Sequence, residues 1–321
     1  MPVSVPKLKD ITEAAKRTAG MIHHTPVLHS RTLNTLFDAA LFFKCENFQK
    51  AGSFKSRGAV NALFSLDDAI LSNGVATHSS GNHAQALARA ASVKNIPAYI
   101  VMPGNAPSIK VEAVKNYGGL ITFCKPDLQE RENTLKKVIE KTGAIEIHPY
   151  DNFHIVSGQA TAAMELINDT PPLDFILAPV GGGGLLGGTA LSARFFSNGT
   201  KVVGCEPGGA DDAFRSFRNG KLIPCTNPRT IADGLLTSLG ELPFTIIKKY
   251  VHDIVTVSEK AITAAMKLLF ERLKIVVEPS AAVPFAAILE NKIDVKNKKV
   301  GIIISGGNID SEKLAKIFKQ Q

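Results

Sequence analysis

The chain has no tryptophan, and only four tyrosines and four cysteines in 321 residues. Cys45, Cys124, Cys205 and Cys225 are widely spaced and form no CxxC pair. That excludes the common thiolate zinc and dithiol redox motifs and leaves reduced, mostly core thiols. No run of about 18 apolar residues occurs, so no membrane span is expected. The N-terminal stretch MPVSVPKLKD lacks the apolar centre of a secretory signal. Blocks of one charge are missing too. The net charge of +8 comes from 37 basic and 29 acidic side chains that are intermixed along the chain. The densest basic stretch, Lys296 to Lys299, is too short and too poor in aromatics to be a nucleic-acid platform. These absences point to a soluble, cytoplasmic protein whose partners are small molecules, with neither nucleic acid nor membrane among them.

What is present is ordinary globular composition, 45% hydrophobic and 21% charged, enough for one large or two medium domains. Short β-rich runs alternate with longer helical patterns. Strands are predicted at 41–45, 74–77, 98–102, 120–124, 145–148, 175–180, 201–205, 254–257 and 300–305. Helices are predicted at 82–91, 127–142, 158–168 and 259–273, among others. Such alternation implies an α/β fold with mostly parallel sheets flanked by helices. Nine strands are too many for a typical single open sheet, so two twisted sheets are expected. The block 65–152 reads as a small, mobile inserted domain, and 1–64 with 153–321 as a larger one.

Five motifs carry chemistry. In Gly52-Ser53-Phe54-Lys55-Ser56-Arg57-Gly58, a lysine among small residues can approach a carbonyl uncrowded, and desolvation would make its amine a better nucleophile. Alone, such a lysine is ordinarily a solvated surface residue. Gly181, Gly182, Gly183 and Gly184 follow an apolar strand and precede a helical stretch, which frees backbone N–H groups for a phosphate at a helix N-terminus. No Lys-Ser/Thr follows them, so a nucleotide P-loop is not supported. His78-Ser79-Ser80-Gly81-Asn82-His83 could cradle a carboxylate, although helix capping explains Ser80 and Asn82 equally well. His78 and His83 are poorly spaced for a metal. Ser305-Gly306-Gly307-Asn308 closes another apolar strand. Glu206, Ala210 and Asp212 resemble a hard-cation site, yet acidic loops are usually just solvated.

Together and in this order, the motifs closely resemble the fold-type II pyridoxal phosphate enzymes, specifically the serine racemase and serine/threonine dehydratase branch. The resemblance runs from Thr25-Pro26-Val27 through Asn308. It includes Phe43-Lys44-Cys45-Glu46, Gly158-Gln159 and Thr230-Ile231-Ala232-Asp233-Gly234. It implies that Lys55 carries pyridoxal 5'-phosphate as a Schiff base and that Phe54 packs on the cofactor ring. Gly181 to Gly184 would hold the phosphate, Asn82 would reach the phenolic oxygen, and Ser305 would partner the pyridine nitrogen. Ser79, Ser80, Gly81, Asn82 and His83 would bind the substrate carboxylate, helped by Arg131 on closure of the small domain. Glu206, the Ala210 carbonyl and Asp212 match the family's cation site, which implies Mg²⁺ or Mn²⁺. A homodimer is implied as well, with ATP as a candidate activator through Asn308.

The resemblance also frames the choice of reaction. Racemisation needs a second acid/base opposite Lys55, and Ser80 stands where serine racemases have it, whereas related threonine dehydratases typically have alanine. Elimination shares the first proton transfer and gives pyruvate and ammonia from serine. A catabolic serine/threonine dehydratase and a hydroxyaspartate dehydratase remain open alternatives. So do a β-replacement enzyme of the same fold and, from a different class, an inactive amino-acid-binding module. The absence of a regulatory domain after Asn308 argues against the allosteric threonine dehydratase.

Overall fold

The computed structural model describes residues 4–79, 81–106 and 108–319. Among these residues, ten strands make two sheets. They are β1 (Val27–Leu28), β2 (Ala40–Cys45), β3 (Val75–His78), β4 (Ala98–Pro103), β5 (Leu120–Cys124), β6 (Ile145–Glu146), β7 (Phe175–Pro179), β8 (Lys201–Pro207), β9 (Asp253–Val257) and β10 (Lys299–Ile304). The larger sheet has the order β1-β2-β10-β7-β8-β9, and the smaller β5-β4-β3-β6. Every pairing is parallel except that of β1 with β2. The nine expected strands and the two-sheet α/β class are all present. β1 was not foreseen, because two residues are too short to show a period of two.

The central strands are apolar on both faces because helices cover both. β10 (KVGIII) lies between β2 and β7 and is buried from Val300 to Ile304, as parallel sheets require. Phe285, on the helix Pro279–Leu289, meets Phe43 of β2 edge-on at 5.5 Å. On the other face, the helices Phe153–Asp169 and Gly184–Phe196 pack closely. A Cβ on Gly188 would sit 2.7 Å from the Ala160 nitrogen, so only glycine permits that approach. The first of these helices begins five residues before the predicted start at 158. The Asn152 side chain caps it, accepting from the N–H groups of His154 (2.9 Å) and Ile155 (3.0 Å).

A buried ionic cluster fastens the Lys55 helix (Lys55–Phe64) to this scaffold. Arg57, fully buried, donates to Glu46 at 2.7 and 2.8 Å and to Glu165 at 2.6 and 2.7 Å. Lys44 adds a 2.7 Å contact to Glu165, and Thr25 donates to Glu46 at 2.5 Å. Burial alone would lift Glu165, but Arg57 and Lys44 hold its carboxyl below the usual range. No helix among the described residues is long and apolar enough to cross a membrane.

Candidate active site

Two segments remote in sequence lock together to present Lys55. Ser53 bridges to Gly306, Phe54 N–H donates to the Ser305 carbonyl (3.0 Å), and Gly307 N–H donates to Gly52 (3.0 Å). The lysine turn therefore rides on the C-terminal end of β10, the end of a parallel sheet where ligands bind. Lys55 is the first residue of its helix. Its Nζ donates to the Pro149 carbonyl at 2.8 Å and lies 5.3 Å from the Phe54 ring centre. Burial lowers its pKa to about 8, against a smaller upward pull from Glu278.

Gly181 to Gly184 turn from β7 into the helix Gly184–Phe196, and all four are buried. The space around them admits no side chain. A Cβ on Gly182 would lie 2.3 Å from the Tyr150 ring. One on Gly183, whose φ is +85°, would lie 2.4 Å from Leu239 Cδ1. This is a backbone cradle at the N-terminus of a 13-residue helix, and it fits a phosphate group.

Asn82 opens the helix Asn82–Lys94. Its Nδ2 donates to Glu278 Oε1 at 2.7 Å, and its Oδ1 accepts from Asn308 Nδ2 at 2.9 Å. Asn308 also donates to the Ala51 carbonyl at 2.8 Å, so it engages the lysine turn as well. Ser79 Oγ accepts from Gly81 N–H at 3.3 Å. His83 is buried, its Nε2 is 3.0 Å from the Ile147 carbonyl, and burial, with the Lys55 charge, takes its pKa well below the ordinary value. Ser80 lies outside the described residues. Arg131, on the helix Leu128–Thr142, acts on the same edge. Burial and then the Arg131 charge lower the pKa of His78, the residue just before the loop.

Glu278, His148 and Tyr150 also belong to this assembly, and no motif announced them. His148 packs edge-on against Tyr150 at 4.6 Å, and Tyr150 hydroxyl is 2.8 Å from Thr237 Oγ1. Burial lowers His148 to about 4, with Asp151 opposing.

Glu206 near the end of β8, Ala210 in the turn after it and Asp212 at the start of the next helix are all buried. Glu206 accepts from the N–H groups of Ala213 (3.1 Å) and Phe214 (2.9 Å), and Asp212 Oδ2 from Leu239 N–H (3.0 Å). Asp212 Oδ1 is buried with no hydrogen-bond partner among the described residues, an acceptor that a hard cation would satisfy. Among the described residues, no three His, Cys, Asp or Glu side chains group as a metal site. The set here is two carboxylates and one carbonyl.

A partly buried lysine with a lowered pKa, a glycine cradle and a polar helix start meeting at one sheet end define a cofactor-dependent amine chemistry. Residues 19–306 match the model of the "Pyridoxal-phosphate dependent enzyme" family, and the chain belongs to that family. It is 50% identical to a serine racemase of Dictyostelium discoideum, over 99% of both chains. It is 47% identical to a beta-hydroxyaspartate dehydratase of Paracoccus denitrificans, over 97% of this chain and 98% of that one. The solved structure of maize serine racemase superposes with a TM-score of 0.95 at 44% identity, covering 99% of this chain and 98% of that one.

Proposed function

We propose that the protein is a serine racemase that interconverts L- and D-serine and also eliminates water from serine to give pyruvate and ammonia. The observation that carries this reading is the partly buried Lys55 amine, with a pKa near 8, beside the glycine cradle and the Asn82 loop. Pyridoxal phosphate, when bound, supplies an electron-withdrawing ring that acidifies the Cα–H of an attached amino acid. Gly181 to Gly184 would hold its phosphate, Phe54 would pack on its ring, and Asn82 and Ser305 would partner its phenolic oxygen and pyridine nitrogen. A serine at that last position is neutral and does not enforce ring protonation.

Lys55, poised near neutrality, is the base that takes the Cα proton from one face. Ser80 supplies the proton from the other face in racemisation. Ser79, Gly81 and His83 frame the substrate carboxylate with Asn82, and Arg131 adds a positive charge when the unit 65–152 closes on the larger one. Tyr150 lies over the glycine cradle at Gly182, and His148 packs edge-on against Tyr150. Loss of the β-hydroxyl after the same proton removal gives elimination.

Mg²⁺ or Mn²⁺ bound by Glu206, the Ala210 carbonyl and Asp212 would satisfy the buried Asp212 Oδ1. A homodimer, activation by ATP and a cytoplasmic setting complete the reading. The last suits four cysteines that are all unpaired. The test is incubation with L-serine, pyridoxal phosphate and Mg²⁺, following D-serine by chiral chromatography and pyruvate in the same sample. Both products are expected, and Ser80→Ala should lower racemisation about a hundredfold or more while sparing pyruvate. Pyruvate without D-serine would make the enzyme a dehydratase. Full racemisation by a folded Ser80→Ala protein would remove Ser80 from the pair. The second reading, a hydroxyaspartate dehydratase, is favoured by the 47% identity to such an enzyme, and turnover of 3-hydroxyaspartate in preference to serine would establish it.

A further inference from the structure

Glu278 sits between the residues that face the cofactor without belonging to any motif. It is 2% exposed and precedes the helix Pro279–Leu289, and its own N–H donates to the Gly306 carbonyl at 3.1 Å. That bond ties it to the Ser305–Gly306 turn that also carries Lys55. A Cβ on Gly306 would lie 2.6 Å from Glu278 Oε1, so the glycine makes room for the carboxyl. Oε1 accepts from Asn82 Nδ2, while Oε2 is buried with no partner among the described residues.

An amide side chain can turn over, exchanging its donor for its acceptor, unless both ends are fixed. Asn82 is fixed at both ends. Asn308 can only donate through its Nδ2, which spans the Ala51 carbonyl and Asn82 Oδ1. Asn82 Oδ1 is thereby the acceptor and Nδ2 the donor. Glu278 Oε1 takes one Nδ2 hydrogen, leaving the second to point elsewhere. We infer that Glu278 is a positioning residue: by accepting from Asn82 it fixes the amide so that a donor faces the phenolic oxygen of the cofactor. The inference rests on the reading of Asn82 as that oxygen's partner.

The arrangement has an energetic signature that a merely structural carboxylate would lack. A buried acid oxygen without a partner destabilises the cofactor-free fold. Glu278 therefore opposes folding while favouring the cofactor, and its removal moves the two in opposite directions.

The experiment titrates cofactor-free protein with pyridoxal phosphate, reading the absorbance band and the dissociation constant, alongside thermal unfolding of the cofactor-free form. Glu278→Ala is expected to shift the band and weaken binding about tenfold, with a melting temperature equal to or above that of wild type. Glu278→Gln, which keeps an acceptor for Asn82, should bind within about threefold of wild type. Should the alanine variant fail to fold, Glu278→Asp draws the carboxyl back by one methylene and should show the same loss. A wild-type band and affinity in Glu278→Ala or Glu278→Asp would overturn the inference, as would a Gln variant no better than Ala. Asn82→Ala serves as the control. If it too leaves band and affinity unchanged, Asn82 does not face the cofactor and the underlying reading has failed. If it alone changes them, only the role of Glu278 has failed.

Discussion

Replacing Arg57 by leucine tests how the scaffold holds the reactive lysine. The guanidinium makes two contacts to Glu46 and two to Glu165, all at 2.6–2.8 Å and away from solvent, two residues beyond Lys55. Arg57→Leu keeps apolar volume but deprives two carboxylates of their main partner: fully buried Glu46 keeps Thr25, and Glu165 keeps Lys44 and a 3.8 Å contact to His24. Breaking a buried pair from one side costs about 3–5 kcal/mol. At about 2 °C per kcal/mol for a chain of this size, the melting temperature should fall by roughly 6–10 °C. The pH dependence carries the sign. Arg57 and Lys44 depress the folded-state pKa of Glu165 below 4.5, so in wild type their stabilisation is present above that value and is lost as acid protonates the carboxyl. In the variant, burial raises the Glu165 carboxyl, which takes up a proton in milder acid, and the deficit narrows. Thermal unfolding of cofactor-free protein by circular dichroism at pH 8 and about pH 5.5 reads both effects. A loss below about 1 kcal/mol at pH 8, or a deficit that grows in acid, would refute the reasoning.

Two more outcomes follow from the site. Lys55→Met should abolish turnover by about a thousandfold or more. It should also stabilise the cofactor-free protein at pH 7 by on the order of 3 kcal/mol, because the folded state lowers this lysine from 10.5 to about 8. Wild-type stability correspondingly rises with pH across that window, where the unfolded chain binds the extra proton, and the Met variant lacks that rise. Chelation with EDTA should lower the melting temperature, and Mg²⁺ or Mn²⁺ should restore it, since a ligand of the folded state stabilises it by mass action. Unchanged melting, with no metal in the purified protein, would withdraw the cation from the Glu206–Asp212 loop.

The strands and the glycine loop were legible because their signals are local: apolar runs bounded by turn residues, and four glycines between a strand and a helix. Lys55 was legible through its neighbours and through the order of the motifs. Glu278 was not. In the sequence it is a lone glutamate before a proline, indistinguishable from a helix-start residue, and its partner Asn82 lies 196 positions away. Tyr150 was hidden for a similar reason, since its place over Gly182 arises only when the loop after β6 folds across β7. Arg57 looked like one more polar residue beside the lysine, and only burial among three chain segments makes it structural. The cation loop was read from its residue types. Backbone N–H groups already engage three of the four oxygens of its two carboxylates.

The most direct test of the account is to incubate the holoenzyme with L-serine in deuterium oxide and recover both serine enantiomers. If Lys55 removes the Cα proton and the opposite face is reprotonated from exchangeable groups, the D-serine formed carries deuterium at Cα, and Lys55→Met forms none. D-serine retaining protium at Cα, or L-serine returned unchanged with neither D-serine nor pyruvate, would contradict it.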